Sequence, residues 1–393
     1  MHGCLLGSND ERASLLDNVV VLTNFIPPNE VPLYKAMQQR LGNLRLLVST
    51  PMEPNRPWAA DWEGLQVQVQ RNLTFRRTWR HPTGFTEPLY VHVPIDTVWL
   101  LWSLRPRLVI STEMGFRTLQ AAAYRRLNSR SRLIIWAGLS EHTEQGRGRV
   151  RETMRPWLLR MADAVLANGE SGTRYMRRLG VPDEAIFRFP YTTDMATFAS
   201  VPSPNSPEGI RRLLYVGQFT ERKGLQPFIE TLSCWCTKHP QRALELWLAG
   251  HGPLRSTLES MLTASNLRLR MVGAYPYHRL PELYAQADAL VFPTMADEWG
   301  VVVTEAMAVG IPVLGSLYSQ AVEELVEDGV NGWIFRPDRG EETFDALDRA
   351  LHTSPEVLRS MGRVARSKAL ELTPDAVVDN LMEAIRFSFE RPS

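Results

Sequence analysis

A chain of 393 residues, 44% hydrophobic and 22% charged, has the make-up of a soluble globular protein and is long enough for two domains. A formal net charge of +1 argues against a dedicated nucleic-acid binder. Three cysteines, Cys4, Cys234 and Cys236, are too few and too badly spaced for a disulfide framework or a zinc site, which suits a reducing cytoplasm. The charge is uneven: residues 1–200 hold 25 Lys+Arg against 18 Asp+Glu, and the remainder 19 against 25, so the first half suits an anionic partner.

Met1–Leu16 lacks the charged and apolar regions of a signal peptide. Apolar strand candidates then run Val19–Phe25, Leu44–Ser49, Leu65–Gln70, Leu108–Thr112, Leu133–Ala137, Ala164–Ala167 and Ile186–Pro190. Amphipathic helices are predicted at Val31–Leu41, Arg117–Leu127, Arg149–Ala162 and Ser171–Leu179. The most apolar stretch, Val91–Leu104, is broken by Pro94 and Asp96 and reads as a core helix, with a membrane-touching helix as the alternative. Arg71, Arg76, Arg77 and Arg80, and then Arg147, Arg149, Arg151 and Arg155, read as solvated helix faces or loops. The functional alternative is attraction to anionic headgroups or to a lipid-diphosphate acceptor.

Val201–Pro207, with three prolines, reads as a linker. A second series follows: Leu213–Val216, Leu244–Ala249, Leu267–Val272, Ala289–Phe292, Val313–Ser316 and Trp333–Phe335, with Cys234-Trp235-Cys236 on an intervening helix. Thr373-Pro374-Asp375 opens a last helix, Ala376–Phe389. Strands alternating with helices imply parallel sheets, so the expected fold is α/β with two Rossmann-like domains facing across a cleft. The expected divisions are 1–200, 201–372 and a terminal helix in 373–393.

Two segments carry chemistry. In Asp297-Glu298-Trp299-Gly300-Val301-Val302-Val303-Thr304-Glu305-Ala306-Met307-Ala308, two acids flank seven residues, a Gly turn opens a helix, and Gly310-Ile311-Pro312-Val313 leads into a strand. A helix N-terminus presents free N–H groups to a phosphate, and a nearby carboxylate can accept from paired sugar hydroxyls. In Val216-Gly217-Gln218-Phe219-Thr220-Glu221-Arg222-Lys223-Gly224, a strand ends at a glycine and a lysine stands at the next helix start, ready for a diphosphate.

Together these resemble the signature of glycosyltransferase family 4, strongest over 211–337 and extending over most of 19–390. The resemblance implies the GT-B fold, a last helix that returns to the N-terminal domain, and a retaining hexosyltransferase using a nucleotide-diphosphate sugar. It implies that Gly217, Gln218, Arg222 and Lys223 hold the donor diphosphate, that Gly273 and Ala274 meet the base, and that Glu305 binds the ribose. Asp297 would face the transferred sugar, with Glu298, Trp299, Gly300, Val301 and Val302 around the donor. His142 is the candidate for contacting sugar or acceptor, and Asn24, Phe25 and Asn29 border the acceptor. Tyr275 or Tyr277 could stack on the base, and Gly250-His251-Gly252-Pro253 resembles a further element of the family.

Three departures stand out: Asp297 where the family usually has Glu, Gln218 where it usually has Arg, and no Gly-Gly pair in the Asn29 loop. No Asp-x-Asp element offers paired carboxylates to a metal, and the available cations suit the leaving group, so neither metal nor other cofactor is expected. The expected partners are a nucleotide sugar, a saccharide or lipid-linked acceptor and an anionic membrane surface, in a cytoplasmic setting. The rival readings are an epimerase or phosphorylase of the same fold, and a catalytically weak nucleotide-sugar-binding or scaffold protein.

Overall fold

The computed structural model describes residues 18–391 except Pro57, with Arg149 and Val150 as backbone only. The stretch Met1–Leu16, with Cys4, lies outside the described residues. The N-terminal strands are β1 (Val19–Thr23), β2 (Leu44–Val48), β3 (Val67–Val69), β4 (Asn72–Arg80), β5 (Thr86–Pro94), β6 (Leu108–Thr112), β7 (Arg132–Ala137), β8 (Ala164–Ala167) and β9 (Ile186–Arg188). Seven of them form a parallel sheet in the order β3-β2-β1-β6-β7-β8-β9. Helices α1 (Val31–Leu41), α2 (Thr97–Leu104), α3 (Phe116–Leu127), α4 (Arg149–Leu159), α5 (Glu170–Arg178) and α6 (Met195–Ala199) accompany them. β1, β7 and β8 are buried along their whole length. A parallel sheet covered on both faces requires this, and it is why these strands read as unbroken apolar runs.

The second sheet is also parallel, with β10 (Arg212–Val216), β11 (Leu244–Ala249), β12 (Leu267–Gly273), β13 (Ala289–Phe292), β14 (Val313–Ser316) and β15 (Gly332–Phe335). Their order is β12-β11-β10-β13-β14-β15. The helices are α7 (Leu225–Lys238), α8 (Arg255–Glu259), α9 (Leu280–Tyr284), α10 (Val301–Val309), α11 (Gln320–Leu325), α12 (Gly340–Leu351), α13 (Pro355–Ala369) and α14 (Pro374–Glu390). On α7, Cys236 is buried, in keeping with a packing role, whereas Cys234 is exposed and does not pack in the core.

The last helix, α14, starts at Thr373, whose side chain accepts from the Ala376 amide, with Pro374 in the first turn. Its apolar face (Val377, Val378, Leu381, Ala384, Ile385) completes the N-terminal core with Leu33, Tyr34 and Met37 of α1. Arg132 on β7 donates from Nε to the Ser388 carbonyl, 2.8 Å away.

Two expectations are corrected. Val91–Leu104 is not one core helix: Val91–Pro94 ends β5, and α2 starts only at Thr97. Leu100 and Leu101 of α2 are buried, but Trp99 is 69% exposed, because the helix lies on the domain surface with one face inward. Arg71 immediately precedes β4, and Arg76, Arg77 and Arg80 lie on it, in an antiparallel hairpin with β5 rather than on a helix or loop. Alternation of Leu73, Phe75, Arg77 and Trp79, followed by Pro82-Thr83-Gly84, is the hairpin signal in the sequence.

Candidate active site

Each sheet reverses its order at one place, between β1 and β6 and between β10 and β13. At such a switch point the two flanking loops leave in opposite directions and open a crevice. Here the two crevices share one cavity of about 800 Å³, lined by both domains. On the C-terminal side the β10 crevice presents Gly217, Gln218, Arg222 and Lys223, and the segment after β13 presents Asp297 to Val302 and Glu305. Ala274, Tyr275 and Tyr277 close that side.

Gly300 caps α10 at φ 104°, in the left-handed region. A Cβ there would stand 2.7 Å from the Phe292 ring. The turn therefore brings the first amides of α10 against the cavity. Close packing of the neighbouring loops has the same cause at Gly250, where a Cβ would lie 1.8 Å from the Gly217 carbonyl oxygen.

The charges are paired. Lys223 donates from Nζ to Asp297 Oδ2 and lies 5.4 Å from the Phe292 ring centroid. Arg222 lies 2.5 Å from Glu87 and within 4 Å of both Asp297 and Glu298, and it donates to the Ala296 carbonyl at 3.0 Å. Burial pulls the Asp297 carboxyl upward, but Lys223 and Arg222 outweigh it and hold the group below the usual carboxylate range. Burial pushes Glu298 up, with Arg222 opposing and Asp297 adding to the rise. Burial also depresses Lys223, against the pull of Asp297. Glu305 is 3% exposed and accepts from the Tyr284 hydroxyl at 2.8 Å. Burial pushes its carboxyl up to about 7, with that hydrogen bond opposing.

The N-terminal wall holds Asn24, Phe25 and Asn29. Asn24 accepts from Arg117 at 2.6 Å and donates to Glu113 at 2.8 Å. Glu113, at the end of β6, has φ 62°, a left-handed conformation that costs a non-glycine residue about 1 kcal/mol or more. Burial pushes Glu30 beside it up to about 8.

Two expected site residues do not line the cavity. Ser140 and Thr143 hydrogen-bond to one another and tie this turn down. His142 stacks on Tyr318, with ring centroids 4.2 Å apart, and burial depresses its pKa. Gly273 accepts the Gly250 amide at 2.8 Å and thereby holds the adjoining loop. Gln218, at the usual Arg position, donates to the Asn55 carbonyl at 3.0 Å, and His251 approaches the same oxygen at 3.3 Å.

Sequence reading missed the hairpin's contribution. Glu87 reaches Arg222, the Thr86 amide donates to Glu221 at 2.9 Å, and Trp79 and Phe85 cluster with Ala296 of the other domain. Arg56, Trp58, His92, Glu113 and Arg117 also line the cavity. Pairing across a turn and contacts between domains leave no local periodicity, so only the hairpin itself had a signal.

Residues 198–368 match the family Glycosyl transferases group 1. The chain is 29% identical over 295 residues to alpha-D-kanosaminyltransferase of Streptomyces kanamyceticus, covering 68% of this chain and 75% of that protein. It is 32% identical over 131 residues to the amylovoran biosynthesis glycosyltransferase AmsK of Erwinia amylovora, covering 31% of each. The crystal structure of Anabaena Alr3699/HepE in complex with UDP superposes with a TM-score of 0.69 over 95% of this chain and all of that one, at 16% identity. Sucrose-phosphate synthase from Thermosynechococcus elongatus gives 0.67 over 95% and 99% at 17% identity. Residues 198–368 are thus similar to the group 1 glycosyltransferases, and the two facing Rossmann-like domains have the GT-B fold.

Proposed function

We propose that this chain transfers a hexosyl group, with retention, from a nucleotide-diphosphate sugar to a saccharide or lipid-linked acceptor in polysaccharide or glycolipid synthesis. The observation that carries the reading is the meeting of Lys223, Arg222 and the α10 N-terminus on one side of the cavity, with the buried Glu305 carboxylate beside them. Leaving-group charge develops on a diphosphate. Fixed cations and helix amides in a water-poor cleft stabilise it without reorganising. Glu305 would accept from the ribose hydroxyls, and Asp297, held by Lys223, would orient the sugar. The relatives' names point to polysaccharide and aminoglycosyl transfer, and a structural neighbour is complexed with UDP-glucose.

Lys223→Ala and Glu305→Ala are each expected to reduce turnover by about 100-fold or more in a nucleotide-sugar assay. Near-normal rates in both would remove the site assignment. Because the cleft cations serve the leaving group, turnover should persist in EDTA. The binding-protein reading is favoured by one observation, the neutralisation of Lys223 by Asp297 and of Arg222 by Glu87. Calorimetric nucleotide-sugar binding without transfer to any acceptor would establish it.

No helix among the described residues is long and apolar enough to cross a membrane. Peripheral attachment at a cytoplasmic membrane face is supported by exposed Trp99 and Trp102 on α2 and by the exposed Phe75, Arg76 and Arg77 of the hairpin. Trp99→Ala with Trp102→Ala should lower co-sedimentation with anionic vesicles. Unchanged sedimentation would exclude that surface.

A further inference from the structure

The second arginine cluster of the sequence does not form a solvated outer face. Arg147, Arg151 and Arg155 all line the cleft, joined there by Arg56 from the loop after β2. Their countercharges differ. Arg155 is buried against Glu144 and donates to the Tyr175 hydroxyl at 2.7 Å. Three further acids of the lining are paired as well: Glu87 with Arg222, Asp297 with Lys223, and Glu53 with His92 at 3.4 Å.

Arg56, Arg147 and Arg151 have no carboxylate within 4 Å among the described residues. The Nε of Arg56 is buried without a hydrogen-bond partner, and its guanidinium lies 5.4 Å from the Trp58 ring centroid. Arg147 stacks 3.6 Å over Trp79 and donates from Nε to the Thr143 carbonyl at 2.7 Å, so its position is set by neutral groups. Acids act on these two only through their fields, Glu53, Glu298 and Glu87 on Arg56, and Glu144 and Glu298 on Arg147, and Glu298 is already within 4 Å of Arg222. Cations partly removed from water, with no carboxylate in contact, favour an incoming oxyanion, and guanidinium binds phosphate or carboxylate oxygens in pairs.

We propose that Arg56, Arg147 and Arg151 form an anion subsite on the acceptor side of the cleft, so that the acceptor carries a phosphate or carboxylate group near its nucleophilic hydroxyl. This rests on the transferase reading above and deepens it by naming the acceptor's chemistry. The three arginines come from the N-terminal domain, whereas Lys223, Arg222 and the α10 amides that would hold the donor come from the other. The oxyanion has two sources, a diphosphate that links a saccharide to a lipid or the carboxylate of an acidic sugar.

The test is calorimetric binding of inorganic pyrophosphate, glucuronate and glucose, with the donor site first saturated by a nucleoside diphosphate. At least one anion should bind where glucose does not. Arg56→Gln and Arg151→Gln should each weaken that anion by roughly 10-fold or more, as expected for losing a charge-assisted hydrogen bond. Their nucleotide affinity and melting temperature should stay near those of the unmodified protein. Preference for pyrophosphate identifies a diphosphate-linked acceptor, and preference for glucuronate an acidic sugar. Nucleotide binding without an anion that responds to these variants overturns the subsite alone. Absence of any nucleotide binding overturns the transferase reading and the subsite with it.

Discussion

Glu305 is where, on the proposed reading, a single side chain would tie ligand binding to pH. Its carboxyl titrates near 7 instead of the ordinary 4.5 because it is buried on α10. In the proposed role, ribose hydroxyls would donate to the ionised form, so nucleotide affinity should fall as pH drops below about 7, and binding near that pH should release a proton. Calorimetry in buffers of different ionisation enthalpy reads the proton directly. Stability runs the other way. Between the ordinary value and about 7 the folded protein holds a proton that the unfolded chain has lost. This contribution is therefore complete below 4.5 and disappears as pH rises through 7. Glu305→Gln keeps a neutral group opposite Tyr284. Its melting temperature relative to the unmodified protein should rise across that window, while nucleotide binding weakens roughly 10-fold. A difference in melting temperature that is flat with pH would show that Glu305 titrates normally.

Among the elements, the β4–β5 hairpin has the widest consequences, because it belongs to one domain and ends on the other. Trp79 and Phe85 pack edge to face, with ring centroids 5.1 Å apart, and shelter Ala296 just ahead of the acidic segment. Glu87 supplies the closest countercharge to Arg222, and the two side chains are only 12% and 10% exposed. Glu87→Ala would leave Arg222 with the Ala296 carbonyl and two more distant acids. The expected cost is about 1–3 kcal/mol of stability, the range for a buried charge that loses a partner. Hydrogen exchange at Thr86–Leu89 should accelerate with it. Unaltered protection there would mean that Trp79 and Phe85 hold the hairpin unaided. On the opposite side, Gln320 of α11 donates to Leu139 and accepts from the Gly172 amide at 2.7 Å. The cleft is thus braced at both edges.

At the scale of the whole molecule, the last described helix packs into the domain that holds the first described strand. Leu381 is fully buried in the N-terminal core, within the cluster that includes β1 and α1. Leu381→Ala should therefore cost about 3 kcal/mol, and the loss should appear in the N-terminal domain, far from it along the chain. Exchange protection reduced only in residues 212–335 would contradict this placement. The long crossover also explains how the two walls of the cleft remain together while the chain passes between them only near residue 200 and at α14.

The sequence by itself determined the parallel strands, the GT-B architecture and the stretches around Gly217 and Asp297. Continuous apolar runs, glycine turns and a proline-marked last helix are local consequences of burial on both faces of a sheet and of backbone geometry. Only the tertiary structure decided what meets what. The pairing of Glu87 with Arg222, the turning of His142 onto Tyr318, and the convergence of Arg56 with Arg147 and Arg151 join residues from separate loops. The physical reason is that side-chain charge acts through space. Its partner is chosen by which strand ends lie side by side at the two switch points, and no period along the chain encodes that.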